Sequence, residues 1–209
     1  NEGGEIFNEV KKVERVAVTV YAESTPNPSA MKFVANKKIT DQTLSFQNID
    51  TAQDAPLVKE LFNFPFVKEV FMDENYISIS KHETTQWEEV VMEIRGFIKS
   101  YLEEEKMILG PSFDSNPQNT NITNPDQTLN DTEQEIVKIL EEYVKPAVAS
   151  DGGNIIFDSY EDSEKRVKVV LQGACSGCPS SQMTLKDGIE TILKDKLPDK
   201  ITEVIAINH

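Results

Sequence analysis

Hydrophobic and polar positions along the chain change period several times, and each change marks an element. Val16, Val18 and Val20 alternate with Ala17 and Thr19, which predicts a strand. Residues 31–35 predict a second strand, entered from the turn Thr25-Pro-Asn-Pro. Leu57, Val58, Leu61 and Phe62 share one face of a short helix. Residues 67–71 and 76–80 predict a hairpin across Met72-Asp-Glu-Asn. Trp87, Val90, Val91, Ile94, Phe97, Ile98, Tyr101 and Leu102 recur at helical spacing, and Thr85 with Glu88 predicts a capping box in front of that face.

Periodicity then stops. Pro111, Pro117 and Pro125 stand among Asn, Ser and Thr with few large apolar groups, too few to offset the entropy of ordering the segment. This predicts a flexible linker over 108–131, between a domain at 14–107 and another at 132–209. The second domain opens on a capping box from Thr132 to Glu135, followed by an apolar face of Ile136, Val137, Leu140 and Val144. Pro146 falls near the end of that helix, and Asp151-Gly-Gly makes a turn that needs positive φ. Residues 154–160 and 167–171 predict two strands around a polar loop. A helix with Met183, Ile189, Ile192 and Leu193 inward follows, Pro198 stops it, and 201–207 predicts a last strand. The fold class is α+β: two small mixed α/β domains joined by a flexible linker.

Charge narrows the function. The chain has 36 acidic and 21 basic residues, a net charge of -15 shared by both halves. Neither nucleic acid nor an anionic membrane surface fits that balance, because both need clustered cations. No apolar run approaches the ~18 residues of a spanning helix. The acidic start lacks the pattern of a signal peptide, so a cytoplasmic location is expected, with a mitochondrial matrix location after removal of a presequence as the other option. No nucleophile–base pair, phosphate loop or acid–base constellation is visible, so the chain is not expected to be an enzyme.

The candidate chemistry is one C-x-x-C, Cys175 and Cys178, the only cysteines in the chain. It sits in a strand-to-helix loop where Gly173 and Gly177 allow tight turns, and Pro179 suits the first turn of the next helix. Thiols just before a helix N-terminus are expected to have lowered pKa values, and thiolate is the form that binds soft metals. Two thiolates do not close a site: structural zinc takes four ligands, and iron–sulfur clusters are usually held by four cysteines. His82 and His209 are expected to be surface bystanders rather than further ligands. Two chains sharing one centre across a two-fold axis would supply four thiolates. A thiol–disulfide redox pair, a structural zinc dimer and an inert pair remain alternatives on spacing alone.

The stretch Leu171-Gln-Gly-Ala-Cys-Ser-Gly-Cys-Pro-Ser-Ser-Gln-Met-Thr-Leu-Lys-Asp-Gly-Ile-Glu, with Val144-Lys-Pro-Ala-Val-Ala-Ser-Asp-Gly-Gly-Asn before it, resembles the C-terminal domain of NifU, the Nfu domain. Thr25-Pro-Asn-Pro-Ser-Ala-Met-Lys-Phe, Pro56-Leu-Val-Lys-Glu-Leu-Phe, Val67-Lys-Glu-Val-Phe, Tyr76-Ile-Ser-Ile-Ser-Lys and Trp87 resemble the Nfu N-terminal domain. Pro65-Phe66 departs from that pattern, where a glycine turn is expected. The resemblance implies a scaffold or carrier of iron–sulfur clusters. It implies a [4Fe-4S] cluster bridged between two protomers, with Cys175 and Cys178 at the ligand positions. It also implies apo iron–sulfur proteins and upstream assembly factors as partners, with a partner-recognition role for the first domain.

Overall fold

A computed structural model describes residues 17–114, 129–177 and 179–208. Cys178 and His209 therefore lie outside the described residues, as do Val16 and residues 115–128 of the expected linker.

The first sheet has the order β1-β2-β5-β4-β3, with every neighbouring pair antiparallel. Its strands are β1 (Val20–Ser24), β2 (Ala30–Ala35), β3 (Leu44–Phe46), β4 (Val67–Asp73) and β5 (Tyr76–Lys81). The β4–β5 hairpin turns through Glu74 and Asn75, with Glu74 at φ 40°. Two helices, α1 (Pro56–Phe62) and α2 (Trp87–Glu103), fill one face of the sheet. Phe33, Val70, Met72, Ile77 and Ile79 from the strands meet Leu57, Leu61, Ile94 and Ile98 from the helices in one buried cluster. The Trp87 ring closes this core and its Nε1 donates to the Pro28 carbonyl at 3.1 Å.

The second sheet is three-stranded, β6 (Gly153–Glu161), β7 (Arg166–Gly173) and β8 (Glu203–Asn208). The β6–β7 pair is antiparallel, and β8 lies parallel to β7 after the crossover helix α6 (Pro179–Lys196). Ile136, Leu140, Val144, Val148, Ile189 and Leu193 pack on Ile155, Phe157, Val167, Val169, Leu171 and Val204.

Several expectations shift. The first strand begins at Val20, and β3 with a 3₁₀ turn at Ile49–Ala52 was not foreseen, being too short for periodicity to show. No side chain caps α2. The second capping box lies two residues earlier than expected: Asn130 accepts from Glu133 N at 3.0 Å, and Glu133 returns a bond to Asn130 N. Pro146 falls near the end of the helical run, as expected, but the run is not one regular helix. The chain runs from α4 (Asp131–Ile139) through a wide turn at Leu140–Val144 into α5 (Lys145–Ser150). Lys145 N donates to Leu140 O, five residues back, a widening of the kind that lets a proline without an N–H be absorbed. Met183 points outward, 68 % exposed, while Ile189 and Leu193 are inward. Ile108, Leu109 and Phe113, the last in the short helix α3 (Pro111–Asp114), pack against the first core rather than leaving it.

Candidate metal centre

β7 ends at Gly173, whose φ of +67° turns the chain out of the sheet. Ser176 N and Ser176 Oγ both donate to Gly173 O, at 3.0 and 2.8 Å, closing a tight turn around Cys175. Gly177, at φ +84°, then redirects the chain, and Pro179 begins α6. A second glycine turn, Gly152-Gly153, supports the first: Ala174 N donates to Gly152 O at 3.1 Å. Gly153 must be glycine, because a Cβ there would lie 2.6 Å from the Cys175 sulfur.

Cys175 is buried, with its Sγ 4.0 Å from the Val148 carbonyl. Burial pushes its thiol up to about 12, and the nearby Asp151 carboxylate adds to the shift. The expectation of a lowered pKa is therefore corrected for Cys175. The sulfur precedes the helix by four positions and is shut away from water, so desolvation outweighs any helix-terminal field. Asp151, at the start of the glycine turn, is close enough to act on the thiol electrostatically.

Cys175 packs into the core of its own domain, and the first domain holds the backbone around it. Asn27 Nδ2 donates to Ser176 O at 3.0 Å, Tyr76 Oη to Gly153 O at 3.2 Å and Ser78 Oγ to Gly152 O at 2.6 Å. Lys32 Nζ reaches Ala149 O and Ser150 O at 3.0 and 3.1 Å, and Ser181 Oγ donates to Pro26 O at 2.9 Å. The Thr25-Pro-Asn-Pro turn, from which the chain enters β2, thus touches the cysteine loop directly. His82 also comes near: it lines a cleft of about 270 Å³ with Lys81, Ser176 and Gly177. Sequence reasoning placed His82 in the other domain and missed this proximity, which only the packing of the two domains creates.

Among the described residues, no group of three or more His, Cys, Asp or Glu side chains could hold a metal ion. The sulfur donors this chain offers are Cys175 and, from the sequence, Cys178, a pair too small for a closed site.

Two family models match the chain, the "Scaffold protein Nfu/NifU N terminal" over residues 20–105 and the "NifU-like domain" over residues 136–205. The chain belongs to the NifU-like family. It is 31% identical over 86% of its length to "NifU-like protein 4, mitochondrial" of Arabidopsis thaliana, of which it covers 63%. It is 34% identical over 88% of its length to "NFU1 iron-sulfur cluster scaffold homolog, mitochondrial" of Drosophila sechellia, of which it covers 64%. The chain thus spans somewhat less than two thirds of these relatives. The solution structure of a NifU-like protein from Saccharomyces cerevisiae overlaps 53% of this chain and 96% of its own, at 15% identity and a TM-score of 0.41.

Proposed function

We propose that the chain is an iron–sulfur cluster scaffold and carrier, not an enzyme. Its cargo is a [4Fe-4S] cluster held by Cys175 and Cys178 of two protomers, acquired from upstream assembly factors and passed to apo iron–sulfur proteins. The observation that carries this reading is the donor set: two cysteines on a glycine-hinged loop and no further ligand cluster among the described residues. Two thiolates per chain make four per pair of chains, the number a cubane cluster takes. The printed names of the relatives, iron–sulfur cluster scaffold homologues among them, support the same cargo.

Incomplete ligation by each chain suits delivery. A cluster whose ligands are split between two protomers loses half of them when the protomers part, so acceptor thiolates can replace them in turn. The alternative is a thiol–disulfide oxidoreductase using the same pair of cysteines.

Reduced thiols require a reducing compartment, met by the cytosol expected from the sequence and by the mitochondrion in the relatives' names. Fractionation of cells expressing the protein separates the two. Anaerobic reconstitution with iron and sulfide, followed by mixing with an apo ferredoxin-type acceptor, tests the function. A brown protein that loses its chromophore as the acceptor gains it supports the carrier reading. A colourless protein whose cysteines cycle between dithiol and disulfide supports the oxidoreductase.

A further inference from the structure

The face of the first sheet turned away from its helices is built around the cysteine loop. Lys32 of β2 and Phe71 of β4 each pair in register with Ser78 of β5, so the three form a row across the sheet. Their neighbours on the same strands, Phe33, Ile77, Ile79 and Met72, belong to the helix-covered core, whereas the row does not. Ser78 and Tyr76 are polar-ended side chains buried on that outer face, and Asn27 is buried beside it. Buried polar groups need partners. Here the partners belong to the other domain: Ser78, Tyr76 and Asn27 donate to the carbonyls of Gly152, Gly153 and Ser176.

The fit is steric as well as polar. A Cβ on Gly152 would lie 2.6 Å from Ser78 Oγ, and one on Gly173 would lie 2.9 Å from the Phe71 ring. Both glycines are at positive φ, so each supplies a turn and an uncluttered surface at one position.

We propose that the first domain carries a docking surface for the cysteine loop of its own chain, and that docking pins the loop closed and away from a second chain until the domains part. A cluster shared between protomers needs the two loops to face each other. The docked domain occupies that approach, holding Ser176 from Asn27 and the start of α6 through Pro26. Docked and loaded states therefore exclude each other, and an acceptor or donor protein that engages the Asn27–Lys32–Ser78 face releases the loop. The pinning of the loop rests on the cross-domain hydrogen bonds alone; its consequence for loading rests on the carrier reading above.

Two substitutions break the docking without touching either core. Asn27→Asp keeps the side-chain oxygen that accepts from Ser29 N at 2.9 Å and loses only the donor to Ser176. Lys32→Glu sets a carboxylate against the Ala149 and Ser150 carbonyls. Asn27→Asp removes one cross-domain hydrogen bond and Lys32→Glu two, enough to move an opening equilibrium by about tenfold. The apo wild-type chain, both single variants and the double variant are treated with iodoacetamide, and alkylation of Cys175 is followed by peptide mass spectrometry. The single variants should react about tenfold faster than wild type and the double variant faster still. Rapid alkylation of the wild type, or equal rates in all four, would overturn the docking. Melting temperatures are recorded in parallel, and if the double variant has lost its fold the singles decide.

The same proteins are then reconstituted anaerobically. Faster appearance of the chromophore in the variants supports exclusion of loading by docking, and equal loading rates despite faster alkylation overturn it. A chromophore in none of them overturns the carrier reading and leaves the docking to the alkylation result.

Discussion

Two glycines flank Cys175, and replacing each by alanine separates backbone strain from packing. Gly173 and Gly177 both lie at positive φ, +67° and +84°. An alanine forced into that region costs about 1–2 kcal/mol relative to the right-handed side. At Gly177 nothing lies within 4 Å of the added Cβ, so that cost is the whole effect. At Gly173 the Cβ would meet Gly152 O at 2.7 Å and the Phe71 ring at 2.9 Å. One obstacle is backbone and the other a ring packed across the domain boundary, so neither yields cheaply, and overpacking adds ~1–3 kcal/mol. Gly173→Ala should therefore cost about 2–5 kcal/mol and Gly177→Ala about 1–2. Urea unfolding of the apo protein, followed by far-ultraviolet circular dichroism and by the fluorescence of the single Trp87, measures both. Because part of the Gly173 effect acts across the boundary, Gly173→Ala should also speed alkylation of Cys175. Equal losses for the two variants, within about 0.5 kcal/mol, would refute the reasoning, since they would mean that no neighbour constrains Gly173.

Other outcomes follow from the two cores and their caps. Leu193→Ala, at a fully buried position in α6, should cost about 2–5 kcal/mol in chemical denaturation, whereas Met183→Ala, on an exposed position of the same helix, should stay within about 0.5 kcal/mol. Asn130→Ala removes the side-chain half of the capping box on α4, the acceptor for Glu133 N, and leaves the backbone half in place; it should lower stability by about 1 kcal/mol, read from the melting temperature. Glu190 is held below the usual carboxylate range by its hydrogen bond from Lys194 and by the Val204 amide, as well as by the Lys194 and Lys186 charges. A depressed carboxyl pKa contributes stability above the unfolded-state pKa and loses it as pH falls through the folded value. Melting temperatures between neutral pH and about pH 3 should therefore fall less steeply in Glu190→Gln than in wild type, and an unchanged slope would remove Glu190 from the account.

How far the sequence disclosed this molecule depends on the range of the forces involved. Long amphipathic runs were legible: the α2 face from Trp87 to Leu102 and the alternation of Val167, Val169 and Leu171 both report burial against a single partner face. Short or cap-level features were not, because β3 has three residues and the choice between Asn130 and Thr132 as N-cap turns on one local hydrogen bond. The cysteine loop was legible as a motif, but its electrostatics were not. The helix N-terminus predicts a low pKa for Cys175, and only its packing into the core of the second domain reveals the desolvation that reverses it. The docking row was hidden for a related reason. Ser78 looks like the polar, solvent-facing half of an alternating strand, and nothing in residues 76–80 distinguishes a serine facing water from one facing a carbonyl of another domain.

The central claim is that two chains hold one cluster through their cysteine loops, and anaerobic native mass spectrometry of the reconstituted protein tests it most directly. The account predicts a dimer carrying about four irons and four sulfides per two chains, reverting to monomer when the cluster is removed and absent from Cys175→Ser. A monomer carrying iron, or a Cys175→Ser dimer loaded to the same extent as wild type, would contradict it.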